Sequence, residues 1–238
     1  MSKAPYVPLH IHTDFSMLQS ACTMPALIKR LEEGGFEAAA LTDFANMCGS
    51  IAFTNGLKKA NIKPILGCFI YLNDSRTQNP SNMSSFNGLI LLAKNNVGYQ
   101  NLCKINAQSH LESFHIKPRI DRSFLRQHSN GIIAIAPFHD SDIASDLSKN
   151  IDPTNTLNFY TDVFGKENFY LEIQKHKREG DDEKYPLVLQ LAKDNEIGLV
   201  ASQTVYYPEA KMAIPHDIVC CVGEKTVHDP QKLRFPEK

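Results

Sequence analysis

Tyr6-Val7-Pro8-Leu9-His10-Ile11-His12, running on into Thr13-Asp14-Phe15-Ser16, is the stretch from which the rest of the chain can be read. Val7, Leu9 and Ile11 alternate with Tyr6, Pro8, His10 and His12, the period of two that marks a β-strand. His10 and His12 then share one side of the strand at its C-terminal end, with Cα atoms roughly 6.5–7 Å apart. Two imidazoles at that spacing can lean onto one metal ion, histidine being the commonest metal ligand. A strand end that merely carries two histidines fits the same pattern. The reading therefore turns on whether the chain brings further ligands to the pair.

The 238 residues suffice for one large α/β domain with a proper core or for two small ones. A 42% hydrophobic and 21% charged composition describes an ordinary globular chain rather than a disordered one. With 25 basic against 26 acidic side chains and no Lys/Arg cluster, a general electrostatic grip on DNA or RNA is not expected. No apolar run approaches a membrane span and no signal-peptide core opens the chain, so a cytoplasmic protein is expected. Cys22, Cys48, Cys68, Cys103, Cys220 and Cys221 include no Cys-x-x-Cys pair. Buried, reduced packing thiols are expected, not a structural zinc site or a disulfide framework.

Outward from the first strand, Thr23 can cap a helix with Pro25 in its first turn, an apolar face at Leu27, Ile28 and Leu31, and a stop at Gly34-Gly35. Strands are expected over residues 37–41, 65–72, 89–93, 132–136, 169–173 and 199–202. Helices are expected near residues 49–60, across Tyr99, Leu102 and Ile105, and over 123–128, 140–148, 154–164 and 187–195, with a last one from Pro208 through Ile218. Residues 73–85, 117–121 and 175–183 read as loops or turns. Strands that alternate with helices mean parallel strands joined by crossovers. With the first, seven strands and no Gly-x-Gly-x-x-Gly after any of them favour a closed barrel over a dinucleotide-binding sheet. In such a barrel the chemistry belongs at the C-terminal strand ends, where His10 and His12 stand. The other ends offer few ligands: Asp43 beside Phe44, then Phe69 and Tyr71, Phe138 and His139, His176, and Thr204 to Tyr207.

Three segments resemble the PHP (polymerase and histidinol phosphatase) domain family: His10 to Ser16, Leu41-Thr42-Asp43-Phe44-Ala45-Asn46-Met47-Cys48-Gly49, and Ile62-Lys63-Pro64-Ile65-Leu66-Gly67. The likeness is to the branch that opens the alpha subunit of bacterial DNA polymerase III. It continues through Leu91 to Asn95, Gly98 to Leu102, Pro118 to Asp121 and Lys225-Thr226-Val227-His228-Asp229-Pro230. It implies an α/β fold, a distorted seven-stranded (β/α)7 barrel, with residues 1–238 as a single PHP domain. Residues from about 208 to 238 would form a C-terminal helix and a tail leading into polymerase domains. Active members of the family hold a metal cluster for phosphoester hydrolysis, some as a 3′–5′ proofreading nuclease.

The resemblance also shows where this chain departs. Of the family's ligands, His10 and His12 survive. An acidic position is Gln19, the histidine of Thr-Asp-His is Phe44, and a glutamate after Gly-Cys is Phe69. A cysteine after the fifth strand is Phe138, with His139 one step out of register, and an Asp-x-His is Thr204-Val205-Tyr206. Aromatic rings cannot coordinate a hard cation, and each ring fully buried contributes roughly 1.5–3 kcal/mol of packing instead. His10, His12 and Asp43 are thus expected to be a vestigial site, with no catalytic residue and no cofactor.

The first expectation is therefore a catalytically silent PHP domain of a replicative polymerase alpha subunit. Its partners, on the resemblance, are the remaining polymerase domains of the same chain and the proofreading exonuclease (epsilon) subunit. DNA would be reached only through the parent holoenzyme, and no membrane is involved. The second is a metal-dependent phosphoesterase or 3′–5′ exonuclease with a remodelled site. There His10, His12, Asp43, His139 and His176 would hold zinc or manganese and water would attack. A free-standing phosphatase of the histidinol-phosphate type fits less well. DNA-directed DNA polymerase activity, a nucleotidyl transfer on magnesium, would belong to a parent chain, since no palm domain fits beside the barrel. His110 reads as a surface histidine, His216-Asp217 and the cysteines as structural.

Overall fold

The computed structural model describes residues 6–73, 87–114, 116–175 and 180–229. Among its described residues eight α-helices and seven strands are interspersed along the chain, an α/β chain as expected. Packing divides the chain into two compact units, residues 1–66 with 204–238, and residues 67–203. The loop expected over 73–85 lies outside the described residues apart from Asn73, as does His176.

The first unit is built on α1 (Met24–Glu33), β1 (Ala38–Leu41), α2 (Ser50–Lys59) and α8 (Ala213–Glu224). β1 is Ala-Ala-Ala-Leu, buried throughout, and pairs parallel with the first four residues of β2 (Lys63–Leu72). Small side chains let Leu27 and Leu31 of α1 and Phe53 and Leu57 of α2 close over it, with Ile11, Cys22 and Ile62 filling the same core. α1 follows Thr23, whose side chain makes no capping hydrogen bond, and ends at Gly34, whose amide donates back to the Arg30 carbonyl at 3.0 Å. The expected first strand is an extended segment with one bridge, Ile11 to Val205. Pro8 has no N–H to give, and the Ile11 amide donates to the Thr42 hydroxyl instead of a carbonyl, so no ladder runs along β1. The segment is nonetheless pinned on both sides. Ala40 donates to Pro8 and Thr42 to Ile11, while Val205 donates to His10 and His12 to Val205, each at 2.9 Å.

In the second unit, residues 67–72 of β2 pair antiparallel with β3 (Asn87–Ala93), which is antiparallel to β5 (Ile132–Ala136). β5, β6 (Phe169–Ile173) and β7 (Gly198–Ala201) are parallel. β3 therefore breaks the all-parallel expectation: it runs antiparallel to both of its partners, and the apolar run of a buried strand carries no direction. The turn expected at 117–121 contains β4 (Arg119–Ile120), a two-residue strand parallel to β2. α3 (Asn96–Leu111), α4 (Arg122–Gln127) and α5 (Asp142–Ser148) begin at Asn95, Asp121 and Ser141, whose side chains each accept an amide of the first turn. α6 (Thr154–Phe164) lays Tyr160 flat on Phe169, ring centroids 5.0 Å apart. α7 (Asp181–Asn195) starts well before residue 187: Asp181, Asp182 and Glu183, read as loop, form its first turn, where carboxylates favour the helix dipole. The last helix starts later than expected, at Ala213, after a 3-10 turn at Ala210–Met212. No helix among the described residues is long and apolar enough to cross a membrane.

Candidate functional site

Ile11 turns into the core, so its neighbours His10 and His12 turn the other way together. Their rings meet edge to face with centroids 4.9 Å apart, and both are buried. His10 Nδ1 lies 3.3 Å from the Thr204 hydroxyl. The ring of Phe44 lies flat on His12, 3.9 Å between centroids and 6° between planes. Tyr206 is close to parallel to the same imidazole at 5.2 Å and stacks again on His216 at 5.2 Å. Burial, and then the neighbouring His10, hold the His12 pKa well below its ordinary value of 6.5. At neutral pH the ring is uncharged.

Asp43, the carboxylate expected beside these histidines, is fully buried and engaged through both oxygens. Oδ1 accepts the Thr13 amide at 2.5 Å and the Ser16 hydroxyl at 2.6 Å, and Oδ2 accepts the Thr13 hydroxyl at 2.8 Å. Burial pushes its carboxyl up against those hydrogen bonds, with the charge of Asp14 adding to the rise. Ser20 continues the stitching, donating 2.7 Å to the His12 carbonyl and accepting the Cys22 amide at 3.1 Å. Burial, then the charges of Asp14 and Asp43, push the Cys22 thiol up to about 12, so it stays a protonated packing group. Gln19 turns its carbonyl, not its side chain, to account: His216 Nε2 lies 3.0 Å from it.

The second unit holds the other expected positions. Phe69 is buried on Gly88, where even a methyl group would meet its ring at 2.0 Å, and it meets Tyr71 edge to face. Phe138 is buried, edge to face with His139, and its amide donates 3.0 Å to Glu172. His139 Nδ1 stands 3.6 Å from an Asp181 oxygen. Glu172 was missed from the sequence: it is fully buried, accepts Gln174 Nε2 at 2.7 Å and makes a very short hydrogen bond with the Ser202 hydroxyl. A glutamate in the apolar run Phe-Tyr-Leu-Glu-Ile was the available signal. His110 is exposed, as expected. His10, His12, Asp43, Phe44, Thr204 and Tyr206 are thus brought together within the first unit, while Phe69, Phe138 and His139 sit in the second.

The PHP domain model matches residues 8–176. DNA polymerase III subunit alpha of Treponema pallidum is 31% identical over 99% of this chain and 21% of its own length. That of Thermus aquaticus is 33% identical over 99% of this chain and 20% of its own. The chain thus spans about a fifth of the length of the curated relatives it matches. Among solved structures, a Bifidobacterium adolescentis protein assigned to the metal-dependent phosphoesterases superposes with a TM-score of 0.59 at 9% identity, covering 84% of this chain and 87% of that one. A two-domain Bacteroides vulgatus protein, assigned a PHP-like metal-dependent phosphoesterase, gives 0.51 at 12%, covering 85% and 52%. At those identities the likeness is one of fold.

Proposed function

The chain belongs to the PHP domain family, with the α/β PHP fold and its relatives among polymerase III alpha subunits, and from that membership we propose that it is the catalytically silent PHP domain of such a subunit. The observation that carries the reading is the Phe44 ring, lying face to face on His12 at 3.9 Å. Where the family carries a histidine ligand this chain has a side chain with no lone pair, and its ring packs on the imidazole's face instead of supplying a donor beside it. The donor set points the same way. A hydrolytic metal cluster needs several anionic ligands to hold its charge and generate hydroxide. Asp43, the carboxylate expected there, already accepts three hydrogen bonds from Thr13 and Ser16. The residues at these positions do not fit the family's cluster, and no hydrolytic step is derived through it.

The domain's work is then structural. It carries the polymerase domains of a longer parent chain and offers a surface to the proofreading exonuclease subunit, so that editing is supplied in trans, in the cytoplasm. Purified protein incubated with DNA and manganese, zinc or magnesium should cleave no faster than buffer. Robust cleavage abolished by His10→Ala would restore the second reading, a phosphoesterase with a remodelled site, which the names of the two structural neighbours favour. Docking is tested apart from catalysis: the chain should co-elute with a cognate exonuclease subunit, and separate elution at micromolar concentrations removes that half of the proposal.

A further inference from the structure

A second group of metal-type side chains, separate from His10 and His12, gathers at the end of α8. Asp217 and Cys221 are four residues apart, so they share one face of the helix. The helix stops at Lys225 in the left-handed conformation, φ 56°, and the Thr226 amide donates back to the Cys221 carbonyl at 2.9 Å. That turn reverses the chain and brings His228 over the same face. His228 Nδ1 stands 2.7 Å from Asp217 Oδ2, and Cys221 Sγ stands 3.9 Å from that oxygen. The nitrogen, oxygen and sulfur all lie within 4.8 Å of one another. Asp217 and Cys221 are 3% and 6% exposed.

We propose that Asp217, Cys221 and His228 form a site for one zinc-class divalent cation. The chemistry of the three donors selects the ion. Thiolate, imidazole and carboxylate together suit Zn²⁺ or Co²⁺, whereas Mg²⁺ and Ca²⁺ demand oxygen ligands. Bonds of roughly 2.0–2.3 Å to a tetrahedral ion hold its ligand atoms about 3.3–3.8 Å apart. The sulfur and oxygen already stand near that spacing, and the imidazole need only swing back from its hydrogen bond. One thiolate and one carboxylate neutralise the dication, and the partly exposed His228 leaves the fourth position to water. Binding would strap residues 226–228 to α8, so this is a structural site that closes the turn. It is independent of the silent site argued above.

The test is to strip the purified chain with a chelator and titrate it with Co²⁺. One equivalent should release the thiol proton and produce a thiolate-to-cobalt charge-transfer band in the near ultraviolet together with tetrahedral visible bands, and Zn²⁺ should erase both sets of bands by displacing the cobalt. Cys221→Ser should abolish the charge-transfer band with the circular dichroism unchanged. His228→Ala should weaken Co²⁺ binding at least roughly tenfold. His10→Ala should change neither. The proposal is overturned if no sulfur-to-cobalt band forms, or if the band survives Cys221→Ser. It is also overturned if His228→Ala binds like wild type, which would leave the Asp217–His228 contact as a plain hydrogen-bonded latch. Cobalt lost in His10→Ala and retained in Cys221→Ser would overturn both this site and the silent reading of His10 and His12. Loss in Cys221→Ser alone leaves that reading untouched.

Discussion

Asp43 and Asp217 are both buried aspartates of the first unit, 0% and 3% exposed, yet their company differs in kind. Asp43 is held by an amide and two hydroxyls, groups that give a hydrogen and keep it at neutral pH. Asp217 faces an imidazole and a thiol, groups that exchange a proton for a metal. Glu172 in the second unit repeats the first pattern, with an amide, a carboxamide and a hydroxyl around it. A buried carboxylate therefore does not by itself mark a cation site. The atoms turned toward it decide whether it organises backbone or binds an ion.

The largest effect that could break this comparison comes from Asp43→Ala. The change leaves the Thr13 amide and the Thr13 and Ser16 hydroxyls facing an apolar gap, and each buried donor left without its acceptor costs about 1–3 kcal/mol. Urea denaturation should show a loss of about 3 kcal/mol or more, part of it recovered in Asp43→Asn, which keeps one acceptor oxygen. A loss below about 0.5 kcal/mol, the range of ordinary surface changes, would mean that Asp43 is not what fixes residues 13–16. The carboxylate would then be open to the role its sequence position suggests. Asp217→Asn should do the reverse, disturbing cobalt binding far more than the urea midpoint.

The same contrast explains how far the chain could be read in advance. Strands at 132–136 and 169–173 and the helix at 154–164 have the bounds their periodicity gives, since a local pattern suffices for them. His10 and His12 could be placed on one side because alternation is also local. Thr13 and Ser16 gave no signal, because what they bind lies some thirty residues along the chain at Asp43. The antiparallel setting of β3 was hidden for a related reason: burial on both faces makes Leu89–Leu92 read alike in either direction. The start of α7 is illegible in sequence because its acidic first turn and Pro186 both imitate a loop, and the dipole contribution of the carboxylates emerges only once the helix exists. The gathering of Asp217, Cys221 and His228 depends on a left-handed lysine at 225, which sequence gives no reason to expect where glycine is the common choice.

The smallest effect concerns the His12 ring, at the centre of the site proposed to be silent. With Phe44 flat on it and Tyr206 alongside, His12 is 0% exposed, and burial followed by the nearby His10 depresses its pKa well below 6.5. In the unfolded chain the same imidazole takes up its proton near 6.5. Between the folded and unfolded values the unfolded state therefore holds more protons, and stability rises with pH through that window. The contribution is complete above 6.5 and is lost as the pH falls below it, by at most about 1.4 kcal/mol per pH unit for one proton. His12→Phe removes the titrating group while keeping a ring of similar shape against Phe44. Paired urea denaturations stepped downward from pH 6.5 should show wild type losing stability faster than the variant, the other histidines cancelling between them. Parallel curves would mean that His12 accepts its proton as readily as an exposed histidine. Phe44 and Tyr206 could not then be shutting the imidazole away from water.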